Sequence, residues 1–208
     1  MKRRSLLKAA VAFAVPGVLS FGASAKPVSK AKAPKILVVY FSRPGMNYVS
    51  GDMVNLPVGN TEKFAKIIAK TLDAPLFRIE PVTPYPFDYR KTTAIAREER
   101  SAGKARDAKA IPDIRGYDVI FWGHPIWYGE MPYIVRGVLS KLDCAGKTIV
   151  PFVTHEGSGI GDTANLVRSF QKRAAVREGL GILGTRFARN EPVEPEITAW
   201  LKRLGYQK

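Results

Sequence analysis

Three stretches of the sequence carry residue types suited to holding an anion and a flat ring. The first stretch combines small, hydroxyl, amide and cationic residues before and at the start of a predicted helix. Its members are Ser42, Arg43, Pro44, Asn60 and Thr61. Free main-chain N–H groups and the positive end of a helix hold phosphate, and hydroxyl groups add further donors. An ordinary helix cap would need only one such residue, so the set favours a phosphate-binding loop.

The second stretch places two large aromatic residues in a loop bounded by glycine and proline. Its members are Pro125, Ile126, Trp127, Tyr128 and Gly129. Aromatic rings are costly to leave in water, and they offer flat faces to a flat ligand. The competing interpretation is that Trp127 or Tyr128 packs against its own helix.

The third stretch is glycine-rich and contains one of the two histidines of the chain. It begins with Thr154, His155, Glu156 and Gly157. Glycines let the main chain approach a ligand closely, and the amides can donate to its polar edge. The other histidine, His124, also follows a predicted strand, so we expect both histidines near the ligand.

Several common site types are excluded. Gly146-Lys147-Thr148 lacks the earlier glycine of a nucleotide-hydrolysing loop, because Lys141 occupies that position. The glycines at 157, 159 and 161 do not have the spacing of a dinucleotide fingerprint. One cysteine and two histidines cannot build a cysteine- or histidine-rich metal site. We therefore predict neither a metal site nor a dedicated catalytic side chain, and we expect Cys144 to be a buried structural residue.

Strands and helices alternate along the chain. Continuous apolar runs, typical of parallel strands buried on both faces, cover residues 35–41, 76–79, 119–122, 148–153 and 180–183. Helical patterns cover residues 61–72, 87–102, 131–142, 162–173 and 194–204. This alternation predicts an α/β fold with an open, mostly parallel five-stranded sheet and helices on both faces. Ligands bind such sheets at the carboxyl ends of the strands, where all three stretches lie.

Together the three loops resemble those of the flavodoxin-like family over residues 35–208. The resemblance implies the strand order 2-1-3-4-5 and FMN as the cofactor. It also implies that Ser42, Arg43, Asn60 and Thr61 hold the FMN phosphate. The loops 125–129 and 154–157 would then line the two sides of the flavin ring. The phosphate loop is interrupted by residues 46–58, an insert like that of a long-loop subgroup. The insert would either arch over the site, with Tyr48 near the flavin, or form a surface hairpin.

The first 25 residues have the pattern of an export signal. Four cations and no acid precede a short apolar run that ends in Ala23-Ser24-Ala25. Arg3-Arg4-Ser5-Leu6-Leu7-Lys8 resembles a twin-arginine signal, which exports folded proteins. The sequence thus predicts a signal peptide at 1–25, a linker at 26–34 and a flavodoxin-like domain at 35–208. The predicted location is the periplasm. An uncleaved membrane anchor is the less favoured interpretation.

The formal net charge of +15 falls to +11 if residues 1–25 are removed. A basic surface favours anionic partners, so a redox protein of acidic character or a small-molecule electron acceptor is expected. Nucleic acid and a stable membrane span are not expected.

The expected function is FMN-dependent electron transfer. The alternative is an FMN-dependent NAD(P)H:quinone or flavin reductase on the same scaffold. A phosphoacceptor receiver domain is disfavoured, because Gly123-His124-Pro125 stands where that chemistry needs an aspartate.

Overall fold

The computed structural model describes residues 33–206. The predicted export segment 1–25 and most of the predicted linker 26–34 lie outside the described residues. Within the described part of the chain, no helix is both long and apolar enough to cross a membrane.

Eight strands and six helices make up the described chain. The strands are β1 (Ile36–Tyr40), β2 (Gly45–Val49), β3 (Asp52–Leu56), β4 (Leu76–Arg78), β5 (Val119–Pro125), β6 (Thr148–His155), β7 (Ala175–Val176) and β8 (Leu180–Leu183). The helices are α1 (Asn60–Leu72), α2 (Tyr89–Ala102), α3 (Tyr133–Leu139), α4 (Thr163–Phe170), α5 (Gly184–Ala188) and α6 (Glu194–Arg203).

The main sheet is parallel and has six strands. Its order is β4-β1-β5-β6, and both β7 and β8 pair with the outer edge of β6. The predicted α/β fold with a mainly parallel sheet is confirmed. The predicted count of five strands differs from the structure, because the two-residue strand β7 also pairs with β6, beside β8, which is the predicted strand 180–183.

Two apolar cores lie on opposite faces of the main sheet. Successive residues of β1 and β5 alternate between them: Val38 and Phe121 pack with α1 and α6, whereas Val39 and Trp122 pack with α3. This alternation explains why these strands are continuously apolar, since each face is buried under helices. Gly123 leaves the room that the Phe152 ring of the neighbouring strand fills, since a Cβ there would lie 2.0 Å from it.

The insert at 46–58 folds as an antiparallel hairpin, β2–β3, outside the main sheet. Ser50 and Gly51 form its two-residue turn with φ values of 50° and 105°. Such left-handed pairs match the twist of a hairpin. The apolar pattern of the sequence does not reveal this hairpin, because β3 is largely exposed and therefore has no apolar face.

His124 is fully buried near the end of β5 and does not line the cavity at the carboxyl edge of the sheet. Its Nδ1–H donates to the main-chain oxygen of Pro125, at 3.1 Å, whereas its Nε2 has no partner among the described residues. Burial, assisted by the charge of Arg136, lowers the pKa of His124 from 6.5 to about 4. Of the two histidines expected near the ligand, His155 lines this cavity and His124 does not.

We predict that His124 makes the fold sensitive to acid. Its pKa is lower in the folded than in the unfolded chain, so its contribution to stability is complete above pH 6.5. That contribution is lost as the pH falls toward 4, where the folded imidazole itself binds a proton. Between pH 7 and pH 5 the loss is about 2 kcal/mol. Urea unfolding of wild type and His124→Asn at the two pH values measures it.

The matched control is His155→Asn, which removes the half-buried histidine. It should keep most of the acid sensitivity, whereas His124→Asn should lose most of it. Equal sensitivity in wild type and His124→Asn would assign the effect to other groups.

Candidate functional site

A polar cavity opens at the carboxyl edge of the main sheet, where the chain crosses from one side of β1 to the other. The loops after β1, β5 and β6 and the first turn of α1 converge there. It is lined by Ser42, Arg43, Asn47, Tyr48, Asn60, Thr61, Tyr89, Pro125, Ile126, Trp127, Thr154, His155, Glu156 and Gly184. We call it the main cavity. Its position is the switch point at which such sheets bind ligands.

The start of α1 is fixed against the loop that follows β1. The buried Ser42 Oγ accepts a hydrogen bond from the Glu62 N–H, at 3.1 Å. The first N–H groups of a helix have no partner within the helix. The Glu62 amide also donates to the main-chain oxygen of Gly59, at 3.1 Å, so Ser42 and Gly59 share it. Among the described residues the earlier amides of Asn60 and Thr61 have no acceptor, and they stay available at the cavity wall. The Ser42 hydroxyl proton also remains free to donate to an anion.

Gly59 is required here for space rather than for its backbone angles. A Cβ at this position would lie 2.3 Å from Ser42 Oγ and 2.7 Å from the main-chain oxygen of Arg43. Its φ of −66° is one that any residue adopts. A larger residue would push the first turn of α1 away from Ser42.

A second hydrogen bond connects α1 to β6. The hydroxyls of Thr61 and Thr154 are 2.7 Å apart, and both residues are buried. The phosphate-type loop and the glycine-rich loop are therefore held in one arrangement.

Arg43 lines the main cavity, but it also holds the surrounding main chain together. Its Nη1 donates to the main-chain oxygens of Pro86 and Phe87, at 2.8 and 3.2 Å, and its Nη2 donates to that of Met46. Burial lowers the pKa of its guanidinium. The structure thus gives Arg43 a bridging role between the hairpin and the segment before α2. Its predicted contact with phosphate remains a prediction.

Trp127 forms part of the wall and is held by two neighbouring rings. It packs edge-on against Phe41 and Tyr85, with ring centroids 5.5 and 4.9 Å away. The next two residues, Tyr128 and Gly129, have φ values of 52° and 79° and form a tight turn. This turn carries them out of the main cavity, and the Tyr128 hydroxyl donates to the main-chain oxygen of Thr93, at 2.9 Å.

The glycine-rich loop contributes a carboxylate and an imidazole. Glu156 Oε2 accepts a hydrogen bond from the Thr185 hydroxyl, at 2.6 Å. His155 Nδ1 accepts one from the Gly157 N–H, at 3.1 Å, and burial lowers the His155 pKa. The imidazole is therefore neutral at pH 7, and Glu156 provides the negative charge of this loop.

Ten of the fourteen predicted site residues line the main cavity. The other four do not: Pro44, Tyr128, Gly129 and Gly157. Four further residues line it without being predicted site residues: Asn47, Tyr48, Tyr89 and Gly184. For the insert that carries Tyr48, the structure supports both alternatives, since the insert is a hairpin and Tyr48 lines the cavity. Tyr89 and Gly184 carry no local signal, because they lie at the starts of α2 and α5, far along the chain from the three loops.

Comparison with known proteins identifies the family of the chain. The sequence profile of the family described as flavodoxin matches residues 35–204. The chain belongs to the flavodoxin family. No curated protein matches it.

Several solved structures have the same fold. A candidate flavoprotein from Bacteroides eggerthii is 27% identical, with a TM-score of 0.64 over 83% of this chain and 98% of that chain. A second, from Bacteroides uniformis, is 23% identical, with a TM-score of 0.63 over 82% and 99% of the two chains. A flavoprotein from Lactobacillus acidophilus, solved in complex with FMN, is 20% identical, with a TM-score of 0.52 over 72% and 93%.

The family supports FMN as the cofactor, as predicted, and the main cavity has the groups that FMN needs. Hydroxyls and helix amides can donate to a phosphate, whose oxygens act mainly as acceptors at neutral pH. The Oδ1 of Asn60 is buried without a partner among the described residues, and as an acceptor it suits a ribityl hydroxyl. Trp127, Tyr48 and Tyr89 offer ring surface to the isoalloxazine.

We predict that Gly184→Ala weakens FMN binding without unfolding the protein. The new Cβ would lie 2.7 Å from Glu156 Oε1 and 2.8 Å from Asn60 Nδ2, and these side-chain ends would have to move into the main cavity. The dissociation constant, measured by quenching of FMN fluorescence, should rise roughly tenfold, which corresponds to about 1.4 kcal/mol. Gly116→Ala is the control, since a Cβ there meets nothing within 4 Å. Unchanged affinity in Gly184→Ala would show that these two side chains do not contact FMN.

Proposed function

We propose that the protein is an FMN-dependent electron carrier that works in the periplasm. The observation that carries the cofactor assignment is that buried hydroxyls and free helix amides, which suit an anion, lie in the same cavity as the aromatic ring of Trp127. Ser42 and Thr61, with the free amides of α1, would hold the phosphate, and Trp127 would shield one side of the ring. FMN supplies the redox chemistry by taking up one or two electrons, and the protein sets its potential.

Glu156 is the residue that we assign to tuning this potential. Its carboxylate lies at the cavity wall and is held in place by Thr185. A fixed negative charge opposes any further negative charge in the cavity. It therefore makes reduction of the cofactor less favourable.

The test is a redox titration of the purified protein. We expect protein purified from the exported fraction to carry FMN, identified by mass after extraction, and to be reduced and reoxidised reversibly. Glu156→Gln should raise the two-electron midpoint potential by roughly 30 mV. Glu178→Gln is the control, because this exposed carboxylate does not line the main cavity. Protein that is colourless and does not quench added FMN would refute the proposed function. Equal potentials in wild type and Glu156→Gln would refute only the tuning role.

The periplasmic part of the proposal is supported by the sequence pattern of residues 1–25. FMN is bound without a covalent bond and is made in the cytoplasm. A protein that uses FMN outside the cytoplasm must therefore fold around it before export. A twin-arginine signal, which exports folded proteins, meets this requirement.

We predict that the double change Arg3→Lys and Arg4→Lys abolishes export while keeping the charge of the segment. Cell fractionation should find wild type in the periplasm, shortened at its start, and the double variant in the cytoplasm with FMN bound. Lys8→Arg, also charge-neutral, should leave export intact. A wild-type protein that stays in the cytoplasm would contradict the proposed location.

One observation favours a second candidate function, an FMN-dependent reductase. A further cavity adjoins the main cavity and shares five residues with it: Arg43, Asn47, Tyr89, Ile126 and Trp127. An electron carrier needs no room for a second small molecule, whereas a reductase does.

A further inference from the structure

The further cavity lies beside the main cavity, between α2 and the loop after β5. Its volume is about 150 Å³. The residues that it does not share with the main cavity are Thr92, Thr93, Ala96 and Tyr128. We call it the side cavity.

Most polar side chains of the side-cavity wall already donate a hydrogen bond within the protein. The Thr92 hydroxyl donates to the main-chain oxygens of Pro86 and Asp88, at 3.0 and 2.9 Å. The Thr93 hydroxyl donates to that of Arg90, at 2.9 Å. The Tyr128 hydroxyl also donates within the protein, to the main-chain oxygen of Thr93 in α2. The shared wall residues Arg43 and Asn47 also donate within the protein, to the main-chain oxygens of Pro86, Phe87, Met46 and Gly45. The rest of the wall offers a ligand methyl groups and ring surface, which favour an uncharged body.

The Tyr89 side chain provides an available donor at the boundary of the two cavities. The Tyr89 hydroxyl has no protein acceptor among the described residues. Tyr89 stands at the start of α2 and lines both cavities. Burial and the neighbouring phenols of Tyr128 and Tyr48 raise its pKa, so the group keeps its proton at neutral pH. A ligand that enters the side cavity can satisfy this donor with one acceptor oxygen.

We propose that the side cavity binds an uncharged single-ring aromatic carbonyl compound whose oxygen accepts a hydrogen bond from Tyr89. An apolar cavity of about 150 Å³ in another protein holds one benzene molecule, so the size fits one six-membered ring. The 1,4-benzoquinones have the same shape and acceptor oxygens as this ligand class, and they are electron acceptors. The binding inference stands on the side cavity itself, whereas a redox role for the ligand rests on the proposed FMN site.

The first test compares two probes of nearly equal size, benzaldehyde and toluene, by equilibrium dialysis against the FMN-loaded protein. Benzaldehyde has the carbonyl oxygen and toluene lacks it. We expect benzaldehyde to bind more tightly. Tyr89→Phe should weaken its binding roughly tenfold, to the level of toluene, because it removes the donor. Binding of toluene should not change. Absence of benzaldehyde binding, or equal binding of both probes by wild type, would overturn the proposal.

The second test fills the side cavity. Ala96→Leu should abolish benzaldehyde binding and leave FMN affinity unchanged, since Ala96 does not line the main cavity. Ala94→Leu, on the exposed face of the same helix, should change neither. If Ala96→Leu instead lowers FMN affinity, the side cavity belongs to the cofactor and the proposal is wrong. FMN content, measured before each titration, separates this result from a failure of the proposed function.

Discussion

The hydrogen bond from the Glu62 amide to the Ser42 hydroxyl determines where α1 begins relative to β1. It can form only because Gly59 has no side chain. The free amides of Asn60 and Thr61 then lie at the carboxyl edge of the main sheet, at the wall of the main cavity. The contact between Thr61 and Thr154 extends the same arrangement to β6. The first turn of this helix therefore fixes the loop after β1 and the end of β6 relative to each other.

The sequence is sufficient to predict the layered fold because its central strands are buried on both faces. A continuous apolar run as short as Ile36–Tyr40, followed by glycine and proline, is typical of such a strand. The apolar pattern does not predict the hairpin β2–β3, because most of its residues are exposed and its buried apolar residues, Val49 and Leu56, form no continuous run. The sequence predicts the strand at 180–183, which is β8, but not β7, because a strand of two residues is too short to form an apolar run.

The sequence predicts those residues of the candidate site that directly follow a strand, but not those that come from other parts of the chain. Parallel strands end at one edge, so residues after β1, β5 and β6 have to meet there. Tyr89 and Gly184 reach the same place from the starts of helices, and only tertiary packing brings them in. Arg43 shows a different limit: its type suggests an anion, but the sequence cannot reveal the three main-chain oxygens that bind its guanidinium. Likewise, the position of His124 after a strand cannot reveal that its ring turns into the core.

The inserted hairpin has paired ends, with Gly45 opposite Leu56. The distance between Ser42, before the hairpin, and Gly59, after it, is therefore set by this cross-strand pair and not by the number of residues in the hairpin. Relatives could gain or lose pairs of residues at the Ser50-Gly51 tip while Ser42 and Gly59 keep their separation. The length of the hairpin, and the surface that it presents to other molecules, can thereby change during evolution without changing the site formed by Ser42 and the start of α1.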